Sequence, residues 1–518
     1  MLRSTFLGYK VATSALTVNQ NMIDIVGQNL SNIKTKGYTR QRLDITSFSL
    51  STSNIKFGTN GVVIGQGVQA IGVSQYRDSF LDLRYRLQAA KAGSEDVQLE
   101  ALSDLEEVFD EIKTDGLDAQ FSDLLEQLQS LTSSPSDPVL EGVVRSSAQM
   151  LTQMFNNYSE QIDTITNQQT NYLQDGAIVK INQLTENIVK LNEQIKADNI
   201  SGNPALELND ERNMLIDELS NYLDIEVDYV PLDIGGGKTI DEMVIRLRGT
   251  SEEIVNRNES YEIKAEANAN NEILIYKKDS SGTENDITSS INGGQLDGYL
   301  KFLNGKGSFS TSADTYQNSD VNGIQYYKNM LDMLANKFAE NMNALNETTD
   351  GPNDLFASRG GGDITAGNIK ISDDWLNSSG SYIVNTTSTS EGDNAGATDN
   401  ILRMINSFQT DEDYVPNVDI NDDGTIDEGD SIFNGTFQEF LSFTTTRLNL
   451  QLKDVKTSYE TYFDSQYQLD FARSSISSVD LNEEGVNLLQ YSKSYNAAAR
   501  LMTTLDDMLD TLINRMGV

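Results

Sequence analysis

The amino-acid sequence predicts an α+β multidomain protein. We expect a long helical bundle or coiled coil built from the N- and C-terminal segments, with β-rich modules inserted between the helical parts. Apolar residues recur at helical spacing near both ends and through long stretches of the middle. From residue 225 the apolar period changes to two, which is the period of a β-strand. The helical body is therefore discontinuous in sequence.

The first predicted element is an amphipathic helix over residues 6–30. Its apolar stripe contains Ala12, Leu16, Ile23, Val26 and Leu30. We expect the helix to end near Ser31 and Asn32, because the following Lys36-Gly37-Tyr38 has the composition of a turn.

Long helices are predicted over residues 80–131 and 143–195, with Pro135 and Pro138 at the joint between them. The second contains a heptad seam of Ile181, Leu184, Ile188, Leu191 and Ile195. Helical spacing returns over residues 296–345, 401–408 and 437–471. Together these segments predict the helical body.

Two β-rich modules are predicted between the helices. The first extends from about residue 225 to 291 and alternates apolar and polar residues, as in Ile225, Val227 and Tyr229. The second lies in a stretch rich in Gly, Asp, Ser and Thr, with short strands at residues 369–371 and 382–384. The predicted domains are residues 1–45 with 478–518 (paired terminal helices), 46–224 with 293–349 and 398–477 (helical body), 225–292 (β-rich module) and 350–397 (small β-rich or loop module).

The C-terminal segment has an a/d heptad pattern that is sustained over five repeats. The a positions are Leu481, Leu488, Tyr495, Met502, Leu509 and Met516, and the positions three residues later are Tyr491, Ala498, Leu505 and Leu512. This pattern is typical of a helix that packs against another helix along its whole length. A surface helix packed on its own domain would give the same pattern.

Composition excludes several classes of function. The chain has 518 residues, 38 Lys plus Arg against 78 Asp plus Glu for a net charge of −40, no Cys and no His. An acidic chain does not suit nucleic acid, and the missing Cys and His exclude disulfides, thiolate sites and Ser-His-Asp triads. No apolar run is long enough for a membrane span, and the polar N-terminus predicts export without a cleaved signal peptide, if the chain is exported.

One loop has the spacing of a calcium site of the EF-hand type. Oxygen donors stand at loop positions 1, 3, 5, 7, 9 and 12, with Gly424 at position 6: Asp419, Asn421, Asp423, the Thr425 carbonyl, Asp427 and Asp430. Pro416 before the loop argues against a continuous flanking helix, and position 12 is Asp where Glu is usual. We expect one isolated, weak, structural Ca²⁺ site, and an acidic surface loop is the alternative.

No other motif points to catalysis. Gly235 to Thr239 resembles the end of a phosphate loop, but the glycine that such a loop requires is replaced by Asp233, so we interpret it as a β-turn. Carboxylates are too abundant for any pair of them to indicate a glycosidase. We therefore expect a chain that is not an enzyme.

Both ends resemble the axial proteins of the bacterial flagellum. At the N-terminus the resemblance lies in Asn29-Leu30-Ser31-Asn32 and the following Gly37-Tyr38-Thr39-Arg40-Gln41. At the C-terminus it lies in residues 479–489, 495–500 and 506–514, which resemble in particular the hook-associated members of that family. A fainter likeness lies at residues 293–300, and the calcium-like loop is not part of the resemblance.

The resemblance implies a structural adaptor at the hook-filament junction, outside the cell, which polymerises on the hook and templates filament assembly. The terminal helices would be disordered before assembly and would then pair, after export through the flagellar type III channel. The expected assembly residues are Leu16, Ile23, Val26, Asn29, Leu30, Asn32, Gly37 and Tyr38 in the N-terminal segment and Leu488, Tyr495, Met502, Leu505, Leu509 and Leu512 in the C-terminal helix.

The partners that the resemblance implies are further copies of the chain, the hook protein, a second hook-filament junction protein and a flagellar export chaperone. No nucleic acid and no membrane are expected among them. Two alternatives remain open at this point. The chain could be another axial subunit, of the hook, rod or flagellin-like kind, or an extracellular calcium-dependent adhesin or hydrolase carried by the β modules.

Overall fold

The computed structural model describes residues 5–48, 67–114, 116–235, 238–279, 281–311, 314, 320–347, 352–378, 381–386, 396–416 and 430–511. The helices in these parts are α1 (Thr5–Ser31), α2 (Ser79–Thr114), α3 (Leu117–Leu131), α4 (Pro138–Asn171), α5 (Val179–Ser201), α6 (Leu206–Tyr222), α7 (Gln295–Asn304), α8 (Ile324–Leu345), α9 (Asp373–Asn377), α10 (Asp399–Ser407), α11 (Phe437–Ser477) and α12 (Leu481–Asp510). A π-helical segment, Tyr172–Ile178, joins α4 to α5.

All strands described pair in antiparallel fashion. They are β1 (Gln41–Ser47), β2 (Val68–Gln75), β3 (Ile225–Gly235), β4 (Lys238–Leu247), β5 (Glu253–Asn256), β6 (Glu259–Ser260), β7 (Glu262–Ala267), β8 (Ile273–Lys278), β9 (Glu284–Asp286), β10 (Phe356–Ser358), β11 (Ile369–Ile371), β12 (Glu412–Tyr414) and β13 (Phe433–Gly435). β3 to β6 and β7 to β9 form the two larger sheets, and three hairpins stand apart from them. The α+β prediction is confirmed.

The helical body has α11 packed along α2, α3 on α4 and α5 on α6. The seam predicted for α5 is buried at each of its five positions. Aromatic rings fill the centre, where Phe121 contacts Phe155, Phe338, Phe408 and Phe437 with ring centroids 5.3–6.3 Å apart. These rings come from α3, α4, α8 and α11 and from the residue that follows α10, so segments far apart in sequence share one core.

Local capping explains where two of the body helices begin. Asp137 accepts a hydrogen bond from the backbone N–H of Val139, and Pro138 occupies the first turn of α4, where its missing N–H is harmless. Thr436 and Glu439 form a capping box at the start of α11. Both starts follow from the sequence through ordinary rules of helix ends.

The structure corrects two predicted helices. The helix expected over residues 80–131 is interrupted at Gly116, where an added Cβ would lie 2.2 Å from the hydroxyl oxygen of Tyr158. After α7 the described residues form a short 3-10 helix, Gly307–Phe309, and the α-helix resumes only at α8, because the backbones of Gly305 and Gly323 meet there and the Gly323 N–H donates to the Gly305 carbonyl at 3.0 Å. In both places a tertiary contact overrides the helical spacing.

The strand predicted at residues 382–384 is wrong. The Tyr382 N–H donates to the carboxylate of Glu141 on α4, and the Val384 N–H donates to Asn346 Oδ1 at 2.7 Å. Hydrogen bonds to side chains therefore take the place of those that a partner strand would make. The strand at residues 369–371 is confirmed as β11, which pairs with β10.

The glycine-rich segment after β3 is part of a hairpin, as the β-turn interpretation requires. β3 and β4 pair up to Gly235 and Lys238, the two residues beside the turn. The hairpin of β1 and β2 was not predicted. It lies beside α1 and spans the predicted boundary between the terminal helices (1–45) and the helical body (from 46).

Candidate assembly surface of the terminal helices

The terminal helices α1 and α12 lie side by side and run in opposite directions. Near one end of the pair, an added Cβ on Gly8 would lie 3.3 Å from Leu505 Cδ2, so the two helices approach closely there. At the other end, Arg40, which follows α1, reaches Glu484 in the first turn of α12. The predicted packing of the C-terminal helix against a second helix is thus found within one chain.

Asn29 fixes the chain where it leaves α1. Its carboxamide is buried, donates to the Gln41 carbonyl at 3.0 Å and accepts from the Gln41 N–H at 3.0 Å. The Tyr38 hydroxyl donates to the same Asn29 oxygen at 2.9 Å. Two residues that the sequence singled out, Asn29 and Tyr38, are therefore bonded to each other and close the turn between α1 and β1.

Asn32 and Gly37 shape that turn. The Asn32 side chain donates to the Gln28 carbonyl at 3.0 Å and accepts from the Thr35 hydroxyl at 3.2 Å, which ends the helix. Gly37 has a φ of +80°, and an added Cβ would lie 2.1 Å from Met214 Sδ on α6. Only glycine suits both the dihedral angle and the approach to α6.

An ion-pair cluster connects the two ends of the chain. Arg40 Nε lies 2.6 Å from Glu484 Oε1, and Arg40 Nη1 lies 2.9 Å from Glu483 Oε2. The Arg40 N–H also donates to the Ser477 carbonyl at 2.8 Å. The segment between α1 and β1 is thereby joined to the connection between α11 and α12.

The same turn is attached to the helical body through Asp210 on α6. Asp210 Oδ2 accepts from the Thr39 N–H and from the Gln75 side chain, each at 2.9 Å. Burial raises the pKa of Asp210. Burial, with the nearby charges of Glu207, Asp210 and Glu484, also raises the pKa of Tyr38, so the Tyr38 hydroxyl stays protonated and can donate.

A cavity of about 850 Å³ lies between the two connecting segments and the body. Beside it, charges alternate along Arg77, Asp82, Arg473, Asp217 and Arg86, with N···O distances of 2.5–3.1 Å. Although burial lowers it, the pKa of Arg473 is raised on balance by Asp217 and Asp82. This network holds the C-terminal end of α11 against α2 and α6.

Much of α12 has no partner in the described part of the chain. Glu484 and Ala498 are its buried residues. Five large apolar side chains are exposed to between 46 and 63%: Leu481, Val486, Leu489, Leu501 and Met508. One helix, α1, does not cover the apolar surface that α12 presents.

Comparisons with known proteins agree with this architecture. A family model described as the flagellar hook-associated protein FlgK helical domain matches residues 102–353, and one described as the flagellar basal body rod FlgEFG protein C-terminal matches residues 473–516. The chain is 31% identical to flagellar hook-associated protein 1 of Bacillus subtilis (strain 168), over 100% of this chain and 99% of that protein. The chain belongs to the flagellar hook-associated protein 1 family.

Two further matches give the spread of the hook-associated protein 1 family. The member from Escherichia coli (strain K12) is 23% identical, over 97% of this chain and 98% of its own length. The solved flagellar hook junction protein FlgK from Burkholderia pseudomallei is 21% identical, with a TM-score of 0.43, over 54% of this chain and 47% of that one. This chain is a structural protein of the flagellum, of the hook-associated kind.

The predicted assembly residues of α1 are buried to different degrees. Val26 and Asn29 are buried, whereas Leu16, Ile23 and Leu30 are partly exposed. In α12, Met502, Leu505 and Leu509 are partly covered, while Leu488 and Tyr495 are exposed. Leu512 lies outside the described residues.

The predicted metal ligands are almost all outside the described residues. Asp430 is described and buried, and the other five, Asp419, Asn421, Asp423, Thr425 and Asp427, are not. Among the residues that are described, no group of three or more His, Cys, Asp or Glu side chains is arranged to hold a metal ion. No described helix is long and apolar enough to cross a membrane.

Sequence reasoning missed the partners of this site. Arg40, Glu483 and Glu484 belong to the two terminal motifs. The residues that pair are more than 440 positions apart in sequence, and no periodic pattern indicates such a pairing. Asp210 and Met214 lie in the middle of the chain. The sequence offered one indication of this pairing, namely an acidic pair in one motif and an arginine in the other.

Proposed function

We propose that this chain is the hook-filament junction adaptor, a subunit without enzymatic activity that polymerises on the hook and templates assembly of the filament. The observation that carries the proposal is the pair of terminal helices, in which α12 keeps a row of large apolar side chains exposed. Apolar rows of this size are stable in water only when another surface covers them. Further copies of the chain supply that surface.

Assembly by such a face is heterologous. The exposed apolar side chains of α12 would pack against a different surface of the next copy, such as the exposed Phe463, Tyr467 and Phe471 of α11. Contacts of this kind extend into rings or helical assemblies. The resulting layer would contact the hook protein on one side and the second hook-filament junction protein on the other.

Before assembly, the same helix requires protection. We expect a flagellar export chaperone to dock on α12, because its apolar row would otherwise favour aggregation. Export through the type III channel without a cleaved signal peptide, and ends that are disordered in the monomer, complete the proposal. Limited proteolysis of the monomer should then leave a fragment of roughly residues 60–475.

The nearest alternative is another axial subunit, since the model of the rod-type C-terminus matches residues 473–516. The long helical body distinguishes the two functions, because residues 102–353 match the hook-associated helical domain. A hook or rod subunit would not need that body.

Deletion of the gene tests the proposal. Electron microscopy of the deletion strain should show hooks without filaments, and flagellin should accumulate in the medium. A plasmid copy should restore filaments. Filaments of normal number and length in the deletion strain would reject a junction role, and missing hooks would favour the rod or hook alternative.

A further inference from the structure

Arg212 on α6 is a buried cation without a carboxylate partner. It is 5% exposed, and it takes part in no ion pair among the residues that the structure describes. Its Nη1 donates to Asn192 Oδ1 at 2.9 Å and its Nη2 to Asn209 Oδ1 at 2.8 Å. Two neutral amides therefore hold a full positive charge.

The guanidinium group of Arg212 donates fewer hydrogen bonds than its N–H groups allow. It has five N–H groups, of which the two amides take two. Nε has no partner in the described structure, and Tyr229 contributes a ring 5.9 Å away together with an interaction through its hydroxyl. A buried cation in this state is costly, whereas a carboxylate would bind it through two parallel hydrogen bonds.

The surrounding charges do not compensate for Arg212. Burial lowers its pKa, and Arg86 and Arg77 add to that lowering. The segments that connect the strands of the two neighbouring hairpins, residues 49–66 and 236–237, contain no acidic residue. The missing carboxylate is therefore not supplied by these connections.

Arg212 opens onto a cavity of about 820 Å³ between the β1–β2 hairpin, the α5–α6 turn and the β3–β4 hairpin. Asp241 is the acidic residue among the described residues that line it, and it is exposed and does not pair with Arg212. Ile71 and Tyr229 line the same cavity and are exposed to 70 and 52%. A central arginine surrounded by exposed apolar side chains is typical of a protein-binding hot spot.

We propose that this cavity binds an acidic side chain of a second copy of the chain, whose carboxylate pairs with Arg212. The inference rests on the proposed function, because it requires copies that pack against one another. Charge complementarity supports this occupant: each copy has a net charge of −40, so its surface is rich in carboxylates, while Arg212 is a cation that lacks one. The contact would lie between the two hairpins and the α5–α6 turn, and no residue of α1 or α12 lines that cavity.

Photo-crosslinking of the full chain in cells tests the contact. p-Benzoylphenylalanine replaces Ile71, which leaves Arg212 and Tyr229 intact, and flagella are irradiated and purified. We expect a product of twice the 57.3 kDa mass of the chain, with the linked peptide next to an Asp or Glu of the second copy. No product between copies, or a product with another protein alone, would overturn the inference.

Two substitutions then separate the pairing from mere proximity. Arg212→Gln should lower the crosslink yield at least about 30-fold, since it removes one partner of a desolvated charge pair. Replacing the mapped acidic residue by its amide should do the same. Lys190→Gln, which removes an exposed cation of α5 outside the cavity, is the matched control and should keep the yield within about twofold.

The monomer distinguishes this role from a structural one. Arg212 also donates to the side chains of Asn192 and Asn209, so Arg212→Gln removes these hydrogen bonds and should lower the melting temperature of the monomer. Replacing the mapped acidic residue by its amide should lower the crosslink yield without changing that temperature. An unchanged crosslink yield in either variant would refute the proposal. If the chain is absent from purified flagella by immunoblot, the proposed function itself fails.

Discussion

Arg40 Nε lies 2.6 Å from Glu484 Oε1 and so joins the turn after the first helix to the first turn of the last one. The Glu484 side chain is 2% exposed, whereas that of Glu483, the second partner of Arg40, is 58% exposed. A buried pair is costly to break from one side, and an exposed pair contributes little. The two neighbouring glutamates should therefore differ strongly in importance.

We predict that Glu484→Gln weakens the assembled protein and that Glu483→Gln does not. Heating of purified flagella should release the Glu484→Gln chain more than about 2 °C below wild type, and the Glu483→Gln chain within about 1 °C. Arg40→Gln combined with Glu484→Gln should be no worse than the worse single change, because the two residues share one interaction. Equal effects of the two glutamates would contradict this assignment.

Gly37→Ala should impair assembly through strain in the turn. Alanine disfavours a φ of +80°, at about 1 kcal/mol, and its Cβ would meet Met214 Sδ. Gly27→Ala is the matched control, since no atom outside its own helix lies within 4 Å of the added Cβ. The fraction of chain recovered in flagella, rather than in the medium, should fall for Gly37→Ala alone.

The sequence predicted the periodic parts of this structure. Both ends of α1 and the start of α11 agree with the prediction to within one residue, whereas α4 begins five residues before the predicted residue 143 and α11 ends six residues after the predicted residue 471. The seam of α5 is buried throughout. The predictions failed where a single distant contact decides the backbone. Gly116 breaks a helix because Tyr158 packs there, and Tyr382 stays out of a strand because Glu141 binds its N–H.

In the candidate site, too, local features could be predicted from the sequence and long-range contacts could not. The helix end at Asn32 and the turn at Gly37 could be predicted from local chemistry, whereas Asn29 was selected through the resemblance to the flagellar axial proteins. Their partners Gln41, Asp210 and Met214 could not be predicted, since polar and close-packed contacts between distant elements leave no periodic trace. The domain boundaries and the role of each assembly residue stay predictions.

Leu505→Asp should abolish assembly and leave the middle of the chain folded. Leu505 lies against Gly8 between α1 and α12, where a buried unpaired carboxylate costs several kcal/mol. Ser133→Asp, in the exposed turn between α3 and α4, is the control. Electron microscopy should show filaments for the Ser133 variant only, with equal melting temperatures of both monomers. Filaments on cells with Leu505→Asp would refute the seam.

The stability of the small module should depend on pH through Asp332 on α8. Burial raises the pKa of Asp332 to about 6, and Asp332 Oδ1 accepts the Ala366 N–H at 2.8 Å. Its ordinary pKa is about 3.9, so between about pH 4 and 6 the folded chain retains a proton that the unfolded chain loses. The contribution of Asp332 to the free energy of unfolding therefore falls as the pH rises from about 4 to about 6.

Asp332→Asn should remove that dependence and stabilise the module by about 2 kcal/mol at pH 8, with little effect at pH 4. Trp375, the single tryptophan, is buried in this module and bonded to Glu141, so its fluorescence reports unfolding there. Glu340→Gln, which removes an exposed carboxylate of the same helix, is the control. Denaturation at both pH values decides the matter, and equal gains at pH 4 and 8 would contradict the assignment.

The loop from Asp419 to Asp430 should bind one calcium ion through the Thr425 carbonyl and five side chains: Asp419, Asn421, Asp423, Asp427 and Asp430. Four carboxylates so close in sequence, in a chain of net charge −40, repel one another, and a divalent cation relieves that repulsion. No second loop or flanking helix is predicted to pre-form the site, so affinity should lie near 10⁻⁴ to 10⁻³ M, roughly that of extracellular modules.

Calorimetric titration tests the calcium site with matched charge changes. Asp419→Ala with Asp423→Ala should abolish uptake of calcium at millimolar concentration, whereas Asp454→Ala with Asp464→Ala, two exposed carboxylates of α11, should not. Calcium should also raise the melting temperature of the wild type, because it binds the folded loop. If the wild type takes up no calcium, or melts at the same temperature with and without it, the loop is an acidic turn. If both double variants lose calcium uptake, the binding depends on the net charge of the chain and not on the loop. The control removes the same charge as the loop variant but leaves the loop unchanged.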